Sequence, residues 1–411
     1  MQHSGLPIDL STILHPESIM HNPFPAFHSL RENKPLYWDE ETQSGIATGY
    51  EACIAVLRSP HFCTRIDVAQ ALSAPAHVLA PFSQTLTTMS HMLVLHDPPL
   101  HTHLRSYFSS AFTHSNVEVL RPQMQLLAEQ LLDALVKHNQ AEILHDFAYP
   151  FVGKMMASIL GIPQEDCEQI ITWSCDIEQL LVESSHSLEQ ITQWLPELAE
   201  LIEYLRHRST QQQHYAPGDF FQSLVAAWQQ EQQLDRDDVL SNIVFLLLAS
   251  IAATAQLIGK AFYTLLCHPE QYQLLQAHPH LITPALEELL RFDGPIVYTQ
   301  RLARTDFELY NQQIKAGQSV LVCLAAANRD PAQFSYPDRL DICRTKKQNL
   351  GFGYGIHACL AAYLARTMAE IAISSMLRRF AHPNIVKVER EPLRVMRYLK
   401  KLTIAFEDNT A

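Results

Sequence analysis

Residues Asp235 to about Leu266 set the strongest constraint on how this chain can fold. Asp235 can cap a helix, and Asp238 sits three positions on, in the favourable first turn. The middle of the segment, Phe245-Leu246-Leu247-Leu248-Ala249, is apolar on every side, which marks a helix lying inside a protein. At ~1.5 Å per residue, about 30 residues span ~45 Å, a whole domain diameter. The longest apolar run, Ile243 to Ala255, is interrupted by Ser250 and Thr254. It is shorter than the ~18–20 residues a membrane span needs. A buried rod of this length calls for a large, mostly helical domain around it.

The rest of the chain agrees. Hydrophobic residues make up 47% of the 411, enough for one large core, and no Gly/Ser linker, Pro-rich spacer or like-charge block marks a boundary. We therefore expect one domain over residues 1–411. Apolar residues recur at helical spacing between about 100 and 290, as in Leu126-Leu127-Leu131-Leu132-Leu135, which reads as plain core. Short strands are expected at Leu36 to Asp39, Gly45 to Thr48, Phe307 to Tyr310, Ser319 to Val322 and Leu402 to Phe406. The formal net charge of -13 argues against a nucleic-acid partner. The first residues lack a basic and then an apolar segment, and the eight cysteines form no C-x-x-C pair, which suggests reduced thiols in a cytoplasm.

One cysteine differs from the others by its neighbours. The string Gly351-Phe352-Gly353-Tyr354-Gly355-Ile356-His357-Ala358-Cys359-Leu360-Ala361 leads into Ala362-Tyr363-Leu364-Ala365-Arg366 and a long apolar stretch. Three alternating glycines bend a loop, and a cysteine stands at the mouth of a helix. Backbone N–H groups of such a loop, with the helix N-terminus, stabilise a thiolate. Phe352 can keep water from the sulfur. A lone cysteine before a helix is usually inert core, and the glycines could suggest a dinucleotide loop. The G-x-G-x-x-G spacing fails, however, because Ala358 stands at its third glycine.

The full string resembles the haem-binding signature of the cytochrome P-450 family, F-G-x-G-x-H-x-C-x-G-x-x-L-A-R. Ala361 departs from it, standing where the family has glycine close to the macrocycle. The resemblance implies that Cys359 is the axial iron ligand, with Phe352 and Ala361 beside the haem. An electron-rich thiolate on haem iron favours cleavage of a bound O–O bond.

Further segments match in order. Glu288-Leu289-Leu290-Arg291 is similar to the family's E-x-x-R, whose members share a helix face. The resemblance gives it a structural role, locked to an arginine before the haem loop, and Arg339 is assigned that place. Asp97-Pro98-Pro99-Leu100-His101-Thr102-His103-Leu104-Arg105 resembles D-P-P-x-H-x-x-x-R. It implies that His101 and Arg105 bind a haem propionate, with Arg301 and His357 at the other propionate positions. Buried anions need such partners. Ala327-Asn328-Arg329-Asp330-Pro331, with Arg344 beyond it, and Asp146-Phe147-Ala148-Tyr149-Pro150 also match.

The central helix breaks the pattern. Where the family carries an acid–alcohol pair in A-G-x-E-T-T, this chain has Ala249-Ser250-Ile251-Ala252-Ala253-Thr254. Ala252 takes the acid position and Ala253 the alcohol position. A helical step of about 100° should turn Thr254 elsewhere. Dioxygen activation needs protons, and an apolar pair cannot donate them. A substrate hydroxyl that orders water is the favoured replacement. Peroxide could bring its own protons, or the reaction could be a coupling, cyclisation or dehydration.

The resemblance places Phe245, Ala249, Ser250, Ala253, Ile296, Val297, Tyr298 and Tyr398 at the haem or in the substrate pocket, with Arg397 as a further polar contact. It implies a mainly α fold, a helical triangular prism with small β-sheets, with haem b between the central helix and a helix beginning at Cys359. The implied activity is monooxygenation of a small or medium natural product, free or carried on a carrier protein. Electrons would come from a ferredoxin or flavodoxin with its reductase. Lys346, Lys347, Arg378 and Arg379 form a basic patch that could meet such a donor. The protein is expected to be a monomer with no membrane attachment. A non-catalytic haem ligand-binding or sensor protein is the rival, supported only by the alanine pair.

Overall fold

The central helix is the axis of the structure, a computed structural model that describes residues 22–182, 187–210, 234–345, 348–391 and 395–408. It runs Arg236–Leu266, and its start is closed by a capping box in which Asp235 and Asp238 each accept from the other's backbone N–H. It is long and apolar enough to cross a membrane, but 78% of its most apolar window is buried inside the protein, as in a core helix. Helices Tyr149–Ile159, Cys167–Val182, Leu188–Thr210, Ile282–Asp293 and Ala362–Arg379 pack against it. Their apolar faces merge into one core.

Polar residues within the central helix tie it to its surroundings. Gln256 donates to the Leu399 carbonyl at 2.9 Å and accepts from the Leu399 N–H at 2.8 Å. Asn242 accepts from the Leu93 N–H at 2.6 Å and donates to the His91 carbonyl at 3.1 Å. Lys260 pairs with Asp293 at 3.1 Å and donates to the Gly294 and Arg397 carbonyls. Buried polar groups paired in this way fix the helix in register without the cost of orphaned donors.

Strands Leu36–Asp39, Ser44–Ala47, Ser319–Val322, Thr299–Ala303 and Phe62–Cys63 lie side by side in that order. Ser44–Ala47 runs parallel to Ser319–Val322, and the other pairs are antiparallel. A second sheet joins Gln140–Glu142, Leu399–Asp408 and Phe380–Arg390, and a hairpin joins Phe307–Leu309 to Gln312–Ile314. The expected strands are all present, with ends displaced by up to three residues. The leucine stripe needs correction. In helix His114–Leu135 the buried face is Val117, Met124, Ala128, Leu132 and Leu135, and Leu126 is exposed.

Candidate active site

Cys359 faces the inside of the protein from a loop that its glycines shape. Gly353 and Gly355 take φ of +71° and +75°, in the left-handed region that side chains resist. The Cys359 N–H donates to the Phe352 carbonyl at 2.8 Å, which closes the loop. The helix after it begins at Ala362, three residues later than expected, because Gly355–His357 forms a short 3-10 turn and Ala358 is extended. Ala361 holds φ at -97°, which an alanine adopts as readily as a glycine. A Gly355→Ala variant should lose about 1–3 kcal/mol of stability, because its Cβ would lie 2.9 Å from the Leu57 carbonyl oxygen at a strained φ. Gly353→Ala, whose nearest neighbour is 3.8 Å away, should cost about 1–2 kcal/mol. Chemical denaturation of both variants checks the order.

The sulfur opens onto a largely apolar cavity of about 350 Å³. Cys359 is exposed, and it lines this space. Desolvation raises its thiol pKa, while the Ala361 N–H, Arg366 and Arg105 pull the other way. Phe352 lines the cavity under the Arg366 guanidinium, 4.3 Å above its ring. Arg366 is held in turn by Glu287 at 2.5 Å.

Four basic side chains converge on the same cavity. His101 and Arg105 lie four apart on helix Leu100–Ser109 and share a face. Arg301 enters from strand Thr299–Ala303, two residues after Thr299, so both point to one side of the sheet. His357 comes from the loop, its ring centroid 4.2 Å from that of His101. Among the described residues, the only carboxylate within ion-pair range of any of the four is Asp97, 4.0 Å from His357 and itself held by Arg304 at 2.9 Å. Burial lowers the pKa of all four. His357 falls to about 3, burial acting first and the cations of Arg301, His101 and Arg105 adding to it. His101 is 1% exposed, and neither ring nitrogen has a hydrogen-bond partner. Two buried ring nitrogens without partners, beside two arginines, mark a place for a polar ligand.

Phe245, Leu246, Ala249, Ser250, Ala253, Thr254 and Leu257 of the central helix form the far wall. Two expectations about this wall are overturned. Thr254 lines the cavity, because it lies four residues after Ser250 on a stripe wide enough to hold both. Ala252 is turned away and lines a separate cavity behind the helix. The Thr254 hydroxyl makes no hydrogen bond among the described residues.

The substrate-pocket expectations are also partly corrected. Ile296 lines the cavity. Val297 and Tyr298 are buried in an apolar cluster with Phe27, Leu321 and Cys323, because Pro295, Ile296, Thr299 and Arg301 take the cavity side. Tyr398 faces the cavity behind the helix, and Arg397 turns to Asp293 at 2.8 Å. The arginine lock moves too. Arg344, not Arg339, meets Glu288, its Nε donating at 3.0 Å to both carboxylate oxygens, while Arg291 donates at 2.7 and 2.8 Å. Arg339 contributes only its carbonyl, and its side chain is exposed. Arg378 and Arg379 are paired with Glu129 and Asp133, and Lys346 and Lys347 lie outside the described residues.

Comparison with known proteins decides the family. Residues 54–397 match the cytochrome P-450 family profile. This chain belongs to the cytochrome P-450 family. It is 33% identical to the cytochrome P-450 CYP107DY1 of Priestia megaterium over 88% of this chain and 89% of that protein. It is 32% identical to the polyketide biosynthesis cytochrome P-450 PksS of Bacillus subtilis, covering 89% and 90%. Among solved structures, P-450 BioI in complex with hexadec-9Z-enoic acid ligated acyl carrier protein superposes with a TM-score of 0.85 at 30% identity, covering 95% and 99%. The chain is thus an oxidoreductase of the P-450 monooxygenase type, built on the P-450 fold, with haem b as its cofactor. The structure fits that cofactor: an apolar cavity lined by the Cys359 sulfur, with two arginines and two histidines converging on it and both His101 nitrogens without a partner.

Sequence reasoning missed several residues here. Thr64 lies 3.5 Å from His357 Nε2, and Leu93 and Val94 line the cavity from a short turn. None carries a periodic signal. Glu178 was missed although a signal existed, namely an acid on the face that buries Ile170, Ser174 and Ile177.

Proposed function

We propose that this P-450 oxidises an apolar acyl or polyketide-like chain, using dioxygen and electrons from a ferredoxin- or flavodoxin-type partner with its reductase. The observation that carries the reading is the convergence of the Cys359 sulfur, the His101–Arg105–Arg301–His357 cluster and an alkyl-lined space on one cavity. Cys359 would hold the haem iron, and His101, Arg105, Arg301 and His357 would hold its propionates by charge-assisted hydrogen bonds. Phe352 would shield the sulfur, and Ala361, which lines the same cavity, would lie beside the bound group. Haem b, when bound, supplies the oxygen activation that the thiolate promotes.

The chain's own residues bind, orient and protonate. Leu93, Val94, Phe245, Leu246, Ala249 and Ile296 form an apolar wall that favours a hydrocarbon chain and excludes water. Without an acid–alcohol pair at Ala252 and Ala253, the last proton passes through water ordered by a hydroxyl inside the cavity. A substrate hydroxyl or Thr254 supplies it. The likeness to a carrier-protein complex favours a substrate delivered as a thioester on a carrier protein.

The test is titration of the haem-loaded protein with hexadec-9Z-enoyl acyl carrier protein and with the free acid. We expect the thioester to bind at least tenfold more tightly than the free acid, read as the shift in haem absorbance that substrate binding produces. Equal affinity would remove the carrier from the reading. A non-catalytic sensor would show the absorbance shift but no product once the electron donor is added.

A further inference from the structure

Behind the central helix, Ala252 opens onto a second cavity of about 640 Å³. Its floor holds Glu178, which is 3% exposed and accepts from the Tyr398 hydroxyl at 2.6 Å. The Tyr398 oxygen also lies 3.2 Å from the Met396 sulfur. Tyr398, Met396 and Ala252 pack together, and Ala253 and Ile296, which line the haem cavity, lie against them. The two cavities therefore share a wall made of helix backbone, two alanine methyls and a few apolar side chains.

The wall separates complementary groups. On one side stands a buried carboxyl coupled to a phenol. On the other stands Thr254, which lines the haem cavity. Burial pushes the Glu178 carboxyl up to about 8, its bond from Tyr398 offsetting this only in part, so it holds a proton at neutral pH. The other titratable groups of the cavity are Tyr149, Cys175 and Asp176 on the flanking helices, with His145, Glu168, Glu391 and Lys400. His145, Glu168 and Lys400 are exposed and connect the cavity to solvent.

We propose that Glu178 is the proton store of this enzyme, acting through Tyr398 in place of the acid missing at Ala252. For transfer the Tyr398 hydroxyl turns from Glu178, its oxygen takes the carboxyl proton, and its own proton passes to a water admitted between Ala252 and Ala253. Thr254 receives it on the far side, and solvent reprotonates Glu178 through the cavity mouth. The step moves a proton and no electrons. Glu178 touches neither substrate nor cofactor and is a positioning residue. The inference rests on the haem-thiolate reading above and deepens it by naming where the protons enter.

The test compares Glu178→Gln and Tyr398→Phe with the parent in the haem-loaded protein, supplied with ferredoxin, its reductase and hexadec-9Z-enoyl acyl carrier protein. We expect the fraction of NADH electrons released as hydrogen peroxide to rise several-fold in both variants, whether the remainder ends in oxidised probe or in water. Turnover driven by added hydrogen peroxide, which carries its own protons, should fall far less. Independently of activity, the infrared band of a protonated carboxyl should be present in the parent at neutral pH and fade as the pH rises through about 8. It should vanish in Glu178→Gln. Unchanged electron partition in both variants, an absent carboxyl band, or equal loss of peroxide-driven turnover would overturn the proposal. A failure of the thiolate reading would show separately, as a parent protein whose carbon-monoxide complex lacks the thiolate signature.

Discussion

Cys359→Ser should abolish the red-shifted carbon-monoxide band of thiolate-ligated haem and leave the fold intact. Removing groups that merely support a metal ligand costs about 10–100-fold in affinity or activity, and loss of the ligand itself should exceed that. The loop does not depend on the sulfur for its shape. Gly353 and Gly355 set its turns, the Cys359 N–H to Phe352 carbonyl bond closes it, and all three survive in the serine variant. Far-UV circular dichroism of the variant should therefore match the parent, while monooxygenase turnover falls below detection. Desolvation raises the thiol pKa, and the Ala361 N–H, Arg366 and Arg105 offset this only in part. A bound haem iron would complete the deprotonation, since a coordinating thiol loses its proton outright. Cys323→Ser is the control, because that thiol is fully buried in an apolar cluster away from the cavity. A Cys359→Ser protein that kept the parent's carbon-monoxide band would end the assignment.

What could be read from the chain, and what could not, follows from the range over which each signal acts. The central helix announced itself because its cap and its apolar pattern are both local, and Asp235 and Asp238 close it as spacing suggested. The cysteine loop was readable because a turn that demands positive φ writes glycines into adjacent positions. Thr254 was misplaced by treating a helix face as a line. The cavity stripe covers two neighbouring positions per turn, Ala249–Ser250 and Ala253–Thr254, so one helical step does not leave it. Val297 and Tyr298 fall where the chain is neither helix nor regular strand, and no period says which side chain faces the cavity. Strands Phe62–Cys63 and Phe380–Arg390 escaped because their pairing is made with residues far along or against polar alternation, and the latter contains Pro383. Arg339 and Arg344 lie in the same irregular segment, where spacing carries no direction at all.

That last ambiguity has a measurable consequence, since Arg344→Ala should destabilise the protein by roughly 1.5–3 kcal/mol, while Arg339→Ala should stay within about 0.5 kcal/mol. Glu288 and Arg291 are each about 1% exposed as side chains, so their charges have no water to fall back on. Glu288 accepts from Arg291, from Arg344 and from the Asp341 N–H at 3.0 Å. Arg344 also donates to the Ser335 and Arg339 carbonyls at 2.7 and 3.1 Å, and its loss removes both bonds, though the Arg339 carbonyl keeps that from Arg291. Arg339 offers only a backbone oxygen, which alanine keeps. The damage should travel to the haem loop. Arg291 donates to the Asn328 carbonyl at 2.8 Å, Asn328 accepts from the Leu350 N–H at 2.6 Å, and Gly351 packs against Leu290 of the same helix. Thermal unfolding followed by circular dichroism should therefore fall together with haem retention in Arg344→Ala. Neither should change in Arg339→Ala. Equal losses in the two variants would show that the lock does not rest on Arg344 alone. If Arg344→Ala lost stability but kept its haem, the chain of bonds from Glu288 to the cysteine loop would not be what holds the cofactor.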